Sequence, residues 1–63
     1  MRNRVAELRS ERGWSQVQLA AALGVSRQTV ISIERERFDP SLPLAFRIAE
    51  VFETSIEDVF SPS

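Results

Sequence analysis

Cysteine, histidine and lysine are all missing from this 63-residue chain. Without cysteine no disulfide can staple the fold and no thiol can act as a nucleophile. Without cysteine or histidine a zinc site of the usual kind is excluded. There is also no glycine-rich phosphate loop and no carboxylate pair placed in an evident cleft, so the residues do not suggest an enzyme. No apolar run approaches the length of about 18 residues needed to cross a bilayer, and no signal-peptide pattern opens the chain. A reducing compartment is consistent with the absent cysteine. The expectation is a cytoplasmic protein with no cofactor, no metal and no membrane contact.

The length allows one small domain, residues 1–63. A chain this short buries only about 60% of its unfolded surface. With disulfides and metals excluded, tight helix packing and self-association remain as supports.

All eight cations are arginine, and they are unevenly placed. Residues 1–37 hold seven Arg against four Glu, a surplus of three positive charges. Residues 38–63 hold Arg47 against five carboxylates, a surplus of four negative charges. The net charge of −1 therefore averages a basic half and an acidic half. Arginine suits phosphates and guanine edges, although it also serves ordinary ion pairs.

The chain reads as five helices. Residues 2–12 form the first, with Val5 and Leu8 one turn apart and Gly13 as its stop. Ser15 caps the second, with Gln18 completing an S-x-x-Q capping box and Trp14 and Leu19 as a hydrophobic staple. Leu19, Ala20 and Leu23 are its buried stripe, and Gly24 ends it. Ser26 caps the third helix, with Val25 and Val30 as a second staple. The link from Gly24 to Ser26 is short enough to force the sharp crossing of a helix-turn-helix unit, about 15–35.

On a wheel of ~100° per residue, Val30 and Ile33 of the third helix face inward with Glu34 near their edge. Gln28, Ser32 and Arg35 face the other way, Ile31 flanks them, and Arg27 projects from the tip. Residues 35–40 form a linker, in which the turn-prone Asp39-Pro40 stops the third helix from running on. Ser41 caps a fourth helix, about 42–53, and Ser55 with Asp58 opens a fifth, about 56–60. Ser61-Pro62-Ser63 reads as a frayed end, and nothing alternates like a strand. The fourth helix carries more apolar surface than one contact needs. Leu42, Ala45, Phe46, Ile48, Ala49 and Phe52 fill a broad arc, and Leu44 and Val51 extend it. The excess points to self-association through Leu44 and Val51, with Phe38, Val59 and Phe60 as further candidates.

Leu19, Ala20, Leu23, Gly24, Val25, Val30 and Ile33 stand at the spacing of the helix-turn-helix of the Xre family, which includes the lambda-type repressors and Cro. V-S-R-Q-T-V, Pro40-Ser41-Leu42 and the ending S-I-E-D-V-F strengthen the resemblance, which runs from Val5 to Phe60. The chain looks like the compact stand-alone regulators of that family. The resemblance implies an all-α, five-helix, lambda-repressor-like domain that binds double-stranded DNA as a homodimer on a pseudo-palindromic operator. It implies that the third helix enters the major groove, that Gln16 grips a phosphate and braces that helix, and that Arg9 and Glu34 form a buried ion pair. Where the family often has Glu-Asn-Gly after the third helix, this chain has Glu34-Arg35-Glu36-Arg37. Where it usually has Gly-Val before the fifth, this chain has Glu53-Thr54.

The residue chemistry agrees. An arginine can pair bidentately with guanine and a glutamine with adenine, and an aliphatic group can touch a thymine methyl. The base-reading candidates are Arg27, Gln28 and Ser32, with Ile31 and Thr29 beside them. The phosphate candidates are Gln16, Ser26, Arg35 and Arg37. Against these stand blander readings: a solvated Arg27, an inert Ser32, an Arg35 paired with a nearby Glu. The expected function is sequence-specific transcriptional regulation, most simply repression. An antitoxin-type protein-binding module that autoregulates its operon is the alternative.

Overall fold

The computed structural model describes residues 1–62. The chain order is β1 (Arg2–Asn3), α1 (Val5–Glu11), α2 (Gln16–Leu23), α3 (Arg27–Glu34), α4 (Leu42–Val51), α5 (Ile56–Val59) and β2 (Phe60–Ser61). The five helices expected of a lambda-repressor-like domain are present in chain order.

The serine caps form as expected. Ser15 Oγ accepts from the Gln18 amide at 3.0 Å, and Gln18 Oε1 accepts from the Ser15 amide at 2.7 Å, completing the capping box. Ser26, Ser41 and Ser55 each accept from the third helical amide of α3, α4 and α5. At Ser55 only half of the expected box forms. Asp58 Oδ2 accepts from the Thr54 hydroxyl at 2.9 Å instead of reaching back to the cap.

Four helix ends close in one way. The cap residue of α2, and the residue after the cap in α1, α3 and α4, takes a left-handed backbone, and amides turn back on the last turn's carbonyls. Gly13 (φ +69°) and Gly24 (φ +72°) do this for α1 and α2, with Trp14 N bonding Arg9 O and Val25 N bonding Ala20 O. Glu36 (φ +59°) and Glu53 (φ +57°) do it for α3 and α4, with Arg37 N bonding Ser32 O and Thr54 N bonding Ala49 O. Both glutamates fall where the chain departs from the Xre pattern, so the turns persist without Asn or Gly. A left-handed residue with a Cβ costs about 1–2 kcal/mol.

The ends of the chain correct the sequence reading. Arg2 and Asn3 are not helical but pair antiparallel with Ser61 and Phe60. Ser61 is thus not frayed, and Ser63 lies outside the described residues. Asn3 serves both neighbours: its Oδ1 accepts from the Val5 amide at 3.0 Å and its Nδ2 donates to Ile33 O at 2.9 Å. Two-residue strands are too short to show an alternating pattern, and their partner is distant in sequence.

Val5, Leu19, Leu23, Val30, Ile33, Ile48, Phe52, Val59 and Phe60 share the core, with Ala20 and Ala45 between the helices. Burying a Leu or Ile side chain of this kind contributes roughly 1.5–3 kcal/mol. Trp14 packs against this core, stacked on Phe52 at 5.8 Å between ring centroids. Arg12 lies over both rings and donates to Phe52 O at 2.9 Å.

Two interface expectations change here. Val59 and Phe60 are 1% and 7% exposed, so they are core residues and offer no face to a second copy. On α4 the buried side holds Ala45, Ile48, Ala49 and the following Phe52, with Leu44 and Val51 half-buried beside it. Leu42 and Phe46, one turn apart on the other flank, are 64% and 56% exposed, and Phe38 is also exposed. The apolar excess of α4 is real, but it lies on the Leu42–Phe46 flank.

Candidate nucleic-acid interface

The α2–α3 pair crosses at a turn built from Gly24, Val25 and Ser26. Its tightness needs the left-handed backbone at Gly24 and the half-buried Val25 packed on the core. Arg47, reaching from α4, donates from Nη1 to Leu23 O at 2.8 Å and so satisfies a carbonyl at the end of α2. The sequence reading gave Arg47 no role. Its one signal was being the only cation in the acidic half.

Val30 and Ile33 are both 1% exposed and lock α3 onto the core. This leaves an outward face. Arg27 and Gln28 at its start are exposed, and Thr29, Ile31 and Ser32 are half-buried. Thr29 is drawn towards the cap, with its hydroxyl 3.0 Å from Ser26 Oγ. The hydroxyl of Ser26 is therefore already engaged at the head of α3. Arg35 and Arg37 follow the helix and are exposed. Among the described residues, Arg27, Arg35 and Arg37 have no carboxylate within ion-pair distance. Glu36, between the last two, turns its carboxylate back to the Asn3 amide at 3.1 Å.

Beneath this face lies the ion pair that the family resemblance implied. Arg9 Nε donates to Glu34 Oε2 at 2.7 Å and Nη2 donates to Oε1 at 3.3 Å. Arg9 Nη1 also donates to Trp14 O at 2.9 Å. The Glu34 side chain is 8% exposed and that of Arg9 is 18% exposed. The hydrogen bond to Glu34 raises the Arg9 pKa against the opposing effect of burial. Gln16 joins this pair to the outward face. Its Nε2 donates to Glu34 Oε1 at 3.1 Å, and its Oε1 accepts from Arg27 Nε and Nη2, both at 3.4 Å.

The arrangement presents an arginine fork, an amide, a hydroxyl and an aliphatic group from one short helix, flanked by unpaired arginines. That set matches the donors, acceptors and methyls on base edges, with cations placed for phosphates. Among the described residues no group of His, Cys, Asp or Glu could hold a metal ion, and no helix is long and apolar enough to cross a membrane.

A helix-turn-helix family profile matches residues 5–59. The chain belongs to the helix-turn-helix family. It is 50% identical over 60 residues to an uncharacterized helix-turn-helix-type transcriptional regulator of Methanocaldococcus jannaschii, covering 95% of this chain and 91% of that one. The restriction-modification controller protein C.AhdI of Aeromonas hydrophila has the same fold, with TM-score 0.82 and 32% identity over 90% of this chain and 86% of that one. SinR, a master regulator for biofilm formation solved in complex with DNA, aligns at TM-score 0.76 and 31% identity, over 86% and 87% of the two chains. The resemblance to the Xre regulators thus holds, and this chain is a helix-turn-helix transcriptional regulator rather than an enzyme.

Proposed function

We propose that this regulator is a cytoplasmic homodimer that reads a pseudo-palindromic operator in double-stranded DNA and represses transcription there. The whole described chain acts as one helix-turn-helix domain. In this reading α3 lies in the major groove. Arg27 pairs with a guanine, Gln28 with an adenine, Ile31 meets a thymine methyl, and Ser32 and Thr29 complete the base contacts. Gln16, Ser26, Arg35 and Arg37 hold phosphates on either side. The observation that carries the reading is the division of α3: Val30 and Ile33 buried, Arg27 and Gln28 exposed with no acidic partner.

The dimer contact is proposed on the Leu42–Phe46 flank of α4, supported by the exposed Phe38. Two copies joined through α4 carry two α3 helices. A palindrome then has half-sites about 10 base pairs apart, centre to centre.

Selection from a randomised duplex library tests the reading. The expected result is an enriched inverted repeat with that spacing, bound by two copies. A library that emerges unenriched would overturn it.

A further inference from the structure

We propose that Glu34 is a positioning residue for base reading: through Gln16 it fixes the direction in which Arg27 presents its fork. The proposal rests on the base-reading role given to Arg27 above.

The Gln16 amide lies between two groups that each play only one part. Glu34 as a carboxylate only accepts, and the Arg27 guanidinium only donates. The amide nitrogen therefore faces Glu34 at 3.1 Å and the amide oxygen faces Arg27 at 3.4 Å. Turning the amide over would set oxygen against carboxylate and NH2 against guanidinium, losing both bonds. Glu34 cannot drift to relieve this, because Arg9 holds both of its oxygens. Arg9 is in turn tied to Trp14 O. The relay from Arg9 through Glu34 and Gln16 to Arg27 thus runs from the interior to an exposed side chain.

Its effect on Arg27 is directional. Gln16 Oε1 takes hydrogens from Nε and Nη2. Both Nη1 hydrogens and one on Nη2 remain free, and these form the end-on fork that a guanine edge accepts. An exposed arginine otherwise samples many rotamers, and holding one of them is worth about threefold to tenfold in binding.

The test separates this role from the structural role of the ion pair. Arg9→Met with Glu34→Met removes both charges together, a replacement that is often neutral for stability. Gln16 and Arg27 stay in place, but the amide loses the acceptor that orients it. Binding is measured to the selected operator and to duplexes changed at each base pair, the Arg27 position being the one at which Arg27→Ala loses discrimination. The expected result is a threefold to tenfold loss of discrimination at that pair alone, with the thermal transition and the salt dependence of affinity retained. An equal loss at all pairs, or undiminished discrimination in a folded variant, would overturn the relay. If the double variant does not fold, Glu34→Gln with Arg9 intact carries the same test and the same outcomes, because its amide no longer dictates the orientation of Gln16. A wild-type protein with no base preference would instead overturn the functional reading itself.

Discussion

Glu36 holds a left-handed backbone at φ +59° and places its carboxylate 3.1 Å from the Asn3 amide nitrogen. Its counterpart Glu53 holds φ +57° but reaches only Arg12, at 3.3 Å, with its side chain 81% exposed. The two strained turns therefore differ in what offsets the strain.

That difference is measurable. Glu53→Gly removes the Cβ clash at a small entropic cost and gives up an exposed ion pair of little worth. It should stabilise the fold by about 0.5–1 kcal/mol, raising the melting temperature by several degrees in a domain of this size. Glu36→Gly gains the same relief but loses the bond to Asn3, itself worth about 0.5–1.5 kcal/mol, and should be near neutral. Equal shifts for the two variants in thermal denaturation would show that the Asn3 contact contributes nothing.

Breaking the Arg9–Glu34 pair on one side only should be severe. Glu34→Ala leaves Arg9 with Trp14 O as its remaining partner, and Arg9→Ala leaves a carboxylate 8% exposed beside Gln16. A loss of about 3 kcal/mol or more is expected for either, close to the whole stability of a small single-core domain. Urea titration followed by circular dichroism measures it; a loss under 1 kcal/mol would mean that water reaches the pair.

DNA contacts should divide into two classes. Arg27→Ala and Gln28→Ala should each cost about 1–3 kcal/mol of discrimination at one base pair and leave the helical spectrum unchanged. Arg35→Ala and Arg37→Ala should weaken all sequences alike and each lower the slope of log affinity against log salt by about one. Filter binding across a salt series separates the classes, and an unchanged slope would remove Arg35 and Arg37 from the phosphate set.

Charge placed on α4 should separate association from folding. Leu42→Glu with Phe46→Glu alters two exposed residues and should give folded monomers by sedimentation velocity. Val59→Glu puts a charge at a site 1% exposed and should unfold the chain outright. A dimer that survives the double substitution would move the contact off this flank.

The parts legible in the sequence were those made by neighbours a few residues apart. Ser15 with Gln18, Ser26 with Thr29, and the glycines at 13 and 24 act within one turn, so their chemistry is written in adjacent letters. The α3 face was legible because Val30 and Ile33 leave only one side free. What escaped was set by distant partners. Asn3 tied to Ile33 and Glu36, and Arg47 on Leu23 O, are contacts no local pattern announces. The wheel of α4 located its apolar arc, but not that the packing leans towards Leu44 and Val51 and stops short of Leu42 and Phe46. That limit is set by α2 and α5, which the wheel does not contain.

The pairing of Arg2 with Ser61 has a topological consequence. The two ends of the described chain lie side by side, so a linker of a few residues would close the backbone into a ring without displacing a helix. A closed chain of this length has fewer open conformations to give up, a difference on the order of 4 kcal/mol in the chain-entropy account. New ends could then be cut in the exposed 35–39 segment, which would make the joined ribbon a covalent fixture of the unfolded chain as well as of the folded one.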